Sequence, residues 1–130
     1  MTTVTAGRVP LFADFHTARA VVQELRRSDA TGCCRTLAYV LMPDHLHWLI
    51  ELVAGDLSGV TGRFKAGAAA AVNRELGTAR VRRWQRGFHD RAVRNEDDLV
   101  DLARYVVANP LRAGLVKRIG EYPHWDAVWL

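Results

Sequence analysis

The run Tyr39-Val40-Leu41-Met42-Pro43-Asp44-His45-Leu46-His47-Trp48-Leu49-Ile50-Glu51-Leu52 constrains the fold more than any other stretch of the chain. Pro43-Asp44 is a turn dipeptide between two apolar runs. It predicts an antiparallel hairpin whose second strand begins at the histidines. Successive side chains on a strand point to opposite faces, so Leu46, Trp48, Ile50 and Leu52 share a core side. His45, His47 and Glu51 fall on the other side with Leu49. Two imidazoles held two residues apart on a rigid strand are a natural half of a divalent-metal site. A surface or hydrogen-bonded pair has the same pattern, so the triplet needs support from elsewhere in the chain.

Around this hairpin the chain divides into short elements without a repeat, a low-complexity tract or a linker, which predicts one domain over residues 1–130. Thr2 to Thr5 reads as a first strand. Asp14 is placed to cap a helix from Phe15 to Arg27, with Phe15, Ala18, Val22 and Leu25 on one face. Thr31-Gly32 is a turn into a strand from Cys33 to Met42. From Leu57 to Leu76, apolar residues at Leu57, Val60, Phe64, Ala68, Val72 and Leu76 predict an amphipathic helix closed by Gly77. Arg80 to Val93 reads as a basic loop that ends in a fourth strand over Phe88 to Val93. Asn95 caps a last helix from about Glu96 to Ala108, with Leu99, Leu102 and Val106 as its core stripe, and Pro110 ends or kinks it. The order β-α-β-β-α-β-α predicts an α+β fold: a ferredoxin-like antiparallel sheet with helices on one face.

Composition excludes several classes. With 49% apolar and 25% charged residues, the chain is that of an ordinary globular domain. No apolar run is long enough to span a bilayer, and the N-terminus lacks the charged-then-apolar pattern of a signal peptide, so a cytoplasmic location with no membrane partner is expected. Cys33 and Cys34 are adjacent, a poor arrangement for a structural disulfide, and read as small buried strand residues. A zinc site made with His45 and His47 is conceivable, but the pairs lack the C-x-x-C spacing.

Charge is concentrated. Between Arg63 and Arg94 lie nine basic residues (63, 65, 74, 80, 82, 83, 86, 91 and 94) against Glu75 and Asp90, nine minus two giving +7. A stripe this dense is an electrostatic footprint for a polyanion, and the planar fork of arginine suits phosphate. A solvated arginine-rich face is the plainer alternative.

On the last helix Tyr105 and Asn109 are four residues apart and share a face. Taken alone they are a margin tyrosine and a helix-terminal asparagine. Taken with His45-Leu46-His47 they resemble more. The His-hydrophobe-His triplet is that of the HUH endonucleases. Arg104-Tyr105-Val106-Val107-Ala108-Asn109-Pro110-Leu111-Arg112-Ala113-Gly114-Leu115-Val116 looks like the tyrosine helix of the REP-associated tyrosine transposases, relatives of single-tyrosine insertion-sequence transposases. Met42 to His47, Phe64-Lys65 and Trp84-Gln85-Arg86-Gly87-Phe88-His89-Asp90 fit the same family in order and spacing. The likeness runs from about Thr2 to Trp129, and its most specific part is the tyrosine helix.

The resemblance implies a metal-dependent single-strand DNA endonuclease and transesterase acting at hairpin-forming repeats. Tyr105 would be the nucleophile, forming a 5′-phosphotyrosine. His45, His47 and the side-chain oxygen of Asn109 would hold one Mg²⁺ or Mn²⁺. Arg82, Arg83 and Arg86 are then candidate phosphate clamps, Trp84 a candidate stacking platform for an unpaired base, and Lys65 a further DNA-contacting residue or a base for Tyr105. The partner is single-stranded or hairpin DNA, and the protein a monomer or homodimer. A hairpin-binding module that no longer cleaves is the alternative.

Overall fold

The computed structural model describes residues 1–93 and 95–128; Arg94, counted in the basic stripe, and Trp129, at the end of the family likeness, lie outside the described residues. Strand β1 (Thr2–Val4) leads through two short 3-10 turns to helix α1 (Phe15–Ala30). The hairpin β2 (Cys34–Met42) and β3 (His45–Leu52) follows, then helix α2 (Leu57–Leu76). Helix α3 (Glu96–Val107), a single turn α4 (Asn109–Arg112) and a short strand β4 (Trp125–Ala127) complete the chain. The sheet is antiparallel throughout, in the order β1-β3-β2-β4.

The helix signals in the sequence act as expected. Asp14 accepts a hydrogen bond from the backbone N–H of Thr17 at 3.2 Å, and Asn95 one from Asp98 at 2.8 Å. Gly77 closes α2 in the left-handed conformation, φ 68°. Helices α1 and α2 pack on one face of the sheet, where Ala18, Val22, Leu25, Phe64, Ala68 and Val72 meet Leu41, Leu46 and Trp48. Their approach is close: a Cβ built on Gly67 of α2 would lie 2.5 Å from a Glu24 carboxylate oxygen of α1. Phe15, expected on this face, is exposed, while Val21 is fully buried.

Two expectations change. Helix α3 does not join α1 and α2; it lies across the opposite face, where Ala103, Val106 and Val107 pack on Leu37, Ala38, Val40, Met42 and Leu49. The physical cause is strand β2, whose residues Leu37 through Met42 are all buried and therefore need cover on both sides. The second change concerns the last strand. Phe88 to Val93 forms no strand, although its start runs along the free edge of β1, where Thr2 and His89 exchange backbone hydrogen bonds of 2.7 and 2.9 Å. The fourth strand is instead Trp125–Ala127, paired with Ala38 to Val40 at the other edge. Three residues following Pro123 give too short a run to be read as a strand.

Candidate active site

The hairpin fixes the two histidines. Met42 and His45 are cross-strand partners, so Pro43-Asp44 is a two-residue turn and His45 starts β3 at its end. Alternation then sends Leu46 and Trp48 into the α1–α2 core and leaves His45 and His47 on the α3 face. Their rings lie edge to face with centroids 4.8 Å apart. Each is held at Nδ1: His45 by an Asp44 carboxylate oxygen at 2.6 Å, His47 by the Thr2 hydroxyl at 2.9 Å. Asp44 is itself anchored by Arg8 at 3.3 Å. With both Nδ1 atoms occupied, Nε2 is the position each ring has left to offer a cation. Burial above all, then the charges of His45, the N-terminal ammonium and Arg112, push His47 down to about 4, so its imidazole is neutral at pH 7. A neutral imidazole is the ligating form.

Tyr105 sits at the margin of the α3 packing stripe, one residue before buried Val106, and is 60% exposed. The guanidinium carbon of Arg112 stands 3.6 Å from its ring centroid, and Arg112 donates to the Tyr105 carbonyl at 2.6 Å. An open cleft of about 240 Å³ is lined by Thr2, His47, His89, Arg91 and Tyr105 among others. One strand histidine and the helix tyrosine, 58 positions apart in sequence, therefore open into the same space. His89 is the residue sequence reasoning missed. It is the cross-strand neighbour of Thr2, which is itself the neighbour of His47, so the three form one row across the sheet. Its signal lay in the Phe88-His89-Asp90 motif, which carried no role of its own.

Asn109 begins α4, half-buried; its amide nitrogen donates to the Val106 carbonyl at 3.0 Å, which leaves the side-chain oxygen as an acceptor. It is not among the residues lining the Tyr105 cleft. Among the described residues no group of three His, Cys, Asp or Glu side chains gathers to hold a metal ion. This also removes the zinc alternative. Cys34 pairs with Leu52 at one end of the hairpin and His45 with Met42 at the other, about eight residues or ~27 Å away at strand rise.

The candidate DNA-contacting residues separate into two groups. Trp84 is not a surface platform: it is 5% exposed, with Phe12 at 5.6 Å and Phe64 at 6.0 Å between ring centroids. Its large apolar ring closes the core beneath the basic loop, which withholds it from an incoming base. Lys65 donates to the carbonyls of Gln85 (2.7 Å) and Gly87 (2.8 Å), and burial lowers its pKa. Its ammonium thus pins the loop from α2. Arg83, half-buried, is likewise engaged by Asn73 and Thr78. Arg82 uses Nε on the Trp84 carbonyl but is exposed, and Arg86 is exposed on the same loop. Arg82 and Arg86 are the members of the set presented to solvent.

A His-hydrophobe-His strand with a tyrosine-bearing helix across its polar face is the arrangement that the sequence resemblance implied. The chain is also similar to particular known proteins. It is 28% identical over 86 residues to the REP-associated tyrosine transposase of Escherichia coli (strain K12), covering 66% of this chain and 50% of that protein. It is 25% identical over 99 residues to a protein of Haemophilus influenzae that carries the same name provisionally, covering 68% of this chain and 56% of that one. The chain thus spans about half the length of the curated relatives it matches. Its fold is similar to the solved structure of a REP-associated tyrosine transposase bound to a REP hairpin, with a TM-score of 0.71 and 24% identity over 95% of this chain and 72% of that one. No protein-family model matches. Likeness to the REP-associated tyrosine transposases is therefore present in sequence and in fold, as the motifs implied. No helix among the described residues is long and apolar enough to cross a membrane.

Proposed function

We propose that this chain is a metal-dependent DNA nicking and strand-transfer enzyme that acts on hairpin-forming repeats through a covalent 5′-phosphotyrosine at Tyr105. The observation that carries this reading is the cleft shared by His47 and Tyr105. The relatives named as transposases and the fold neighbour bound to a REP hairpin support the substrate class.

A phosphodiester resists attack because its charge repels nucleophiles and its leaving group is poor, so a site must supply alignment, charge neutralisation and a nucleophile. His45 and His47, each turned by a hydrogen bond at Nδ1, fit a divalent cation. The side-chain oxygen of Asn109, left free by the Nδ2 hydrogen bond to Val106, is the third candidate ligand. When bound, Mg²⁺ or Mn²⁺ would supply Lewis-acid polarisation of the scissile phosphate, and imidazole ligation suits Mn²⁺ the better of the two. The Tyr105 oxygen then bonds to phosphorus as the bond to the 3′ oxygen breaks. The phenolic proton passes to solvent, and the departing oxygen takes up a proton to become a free 3′-hydroxyl. The phosphotyrosine conserves the bond energy, and a phenol leaves far more readily than a sugar alkoxide, so a 3′-hydroxyl can reverse the step. Arg82 and Arg86 hold the DNA backbone beyond the cleft.

Incubation with labelled hairpin DNA and Mn²⁺ tests this reading: a covalent protein–DNA adduct on a denaturing gel is expected, and hairpin binding without any adduct would contradict it. The second reading, a hairpin-binding module that does not cleave, draws on the position of Asn109 outside the cleft.

A further inference from the structure

We infer that Arg112 is a positioning residue for Tyr105: it fixes the ring of the nucleophile and sets a positive charge where the scissile phosphate must come. The inference rests on the reading of Tyr105 given above. Tyr105 is 60% exposed on a helix, and an exposed tyrosine without a partner samples several rotamers. Here it has a partner. The Arg112 guanidinium carbon lies 3.6 Å from the ring centroid, close enough for a cation–π contact, while Nη2 donates to the Tyr105 carbonyl at 2.6 Å. One arginine thus grips both the backbone and the ring of the same residue. The chain geometry makes this possible. Ala108, between α3 and α4, keeps a right-handed helical backbone, so Arg112 comes about two turns after Tyr105 on the same side and its side chain can reach back.

The charge is also uncommitted. Among the described residues no carboxylate lies within ion-pair distance of Arg112. A guanidinium has five N–H donors, and the Tyr105 carbonyl takes one of them. The remainder suit two phosphate oxygens at once, a geometry that a lysine ammonium does not reproduce. Arg112 is not itself among the residues lining the cleft; held against the Tyr105 ring, it would act on a phosphate that has reached the tyrosine oxygen.

The test compares wild type with Arg112→Gln and Arg112→Lys, using labelled hairpin DNA and Mn²⁺. Adduct formation is followed in single turnover at saturating DNA, hairpin affinity is measured separately, and thermal melting checks the fold. Arg112→Gln is expected to slow adduct formation by about 10²-fold. Its affinity should change by less than about fivefold, one phosphate contact among several. Arg112→Lys should recover part of that rate, because it restores charge without the flat fork. Adduct formation in Arg112→Gln at the wild-type rate would overturn the inference, and so would a deficit that disappears at saturating DNA. A second measurement needs no reaction: the Arg112 δ-proton resonances should carry a ring-current shift that vanishes in Tyr105→Leu. An unshifted Arg112 would overturn the inference even if wild type forms the adduct. Absence of adduct in wild type, with the ring-current shift present, would instead overturn the transposase reading and take the catalytic half of this inference with it.

Discussion

The hydroxyl of Thr2 lies 2.9 Å from Nδ1 of His47, and through its backbone the same residue pairs with His89. A single residue of the edge strand therefore orients one histidine and places another. Outer partners of this kind fix the tautomer and direction of a ligating ring. Thr2→Val keeps the shape of the side chain and removes its oxygen. Mn²⁺ affinity by calorimetry is expected to fall roughly tenfold with the fold unchanged. Equal affinity in the two proteins would show that the Thr2 hydroxyl does not prepare His47 for metal.

The depressed His47 pKa has a consequence for stability. In the unfolded chain its imidazole titrates near 6.5, whereas burial and neighbouring positive charges bring it to about 4 in the fold. Between these values the unfolded chain binds a proton that the folded one refuses. The contribution is therefore fully present above about pH 6.5 and is lost as pH falls through about 4. Urea unfolding from pH 7 to pH 4 should show wild type losing stability more steeply than His47→Gln. Parallel profiles would contradict the buried, neutral state of this histidine.

Trp84 and its arginine neighbours should behave oppositely. Trp84→Ala removes a ring packed between Phe12 and Phe64, and is expected to cost about 3–5 kcal/mol in denaturant unfolding. Trp84→Phe should keep hairpin affinity, since no base stacks on a buried ring. A large loss of affinity in a stably folded Trp84→Phe would restore the tryptophan to the DNA interface.

Charge reversal at Arg82 and Arg86 should leave melting temperature nearly unchanged and weaken hairpin binding. It should also reduce the slope of log affinity against log salt, because fewer counterions are released on binding. An unaltered slope would move the DNA path away from this loop.

What the sequence made legible follows from local physics. The Pro43-Asp44 turn and strict alternation after it put His45 and His47 on one face, as found. Asp14, Asn95 and Gly77 bounded their helices because capping is a short-range hydrogen-bond matter. The side of the sheet taken by α3 was not legible. It is decided by β2 being buried on both faces, and a continuous apolar run looks the same in sequence whether one or two layers cover it. The structural engagement of Lys65 and the burial of Trp84 were hidden for a related reason: a basic, aromatic loop reads as an interface until the core residue that anchors it is known. Arg112 was visible only as part of the tyrosine motif, since its grip on Tyr105 depends on the helical path continuing through Ala108 beyond the end of α3.

The nucleophile is the central claim, and one substitution separates it from a packing role. Tyr105→Phe removes one oxygen and keeps a ring that is already 60% exposed, so its fold, Mn²⁺ binding and hairpin binding should match wild type. With labelled hairpin DNA and Mn²⁺, wild type should give a covalent adduct that peptide sequencing maps to Tyr105, and Tyr105→Phe should give none, because phenylalanine has no atom that can bond to phosphorus. An adduct that persists in Tyr105→Phe and maps to another residue, such as Tyr39 or Tyr122, would contradict the account.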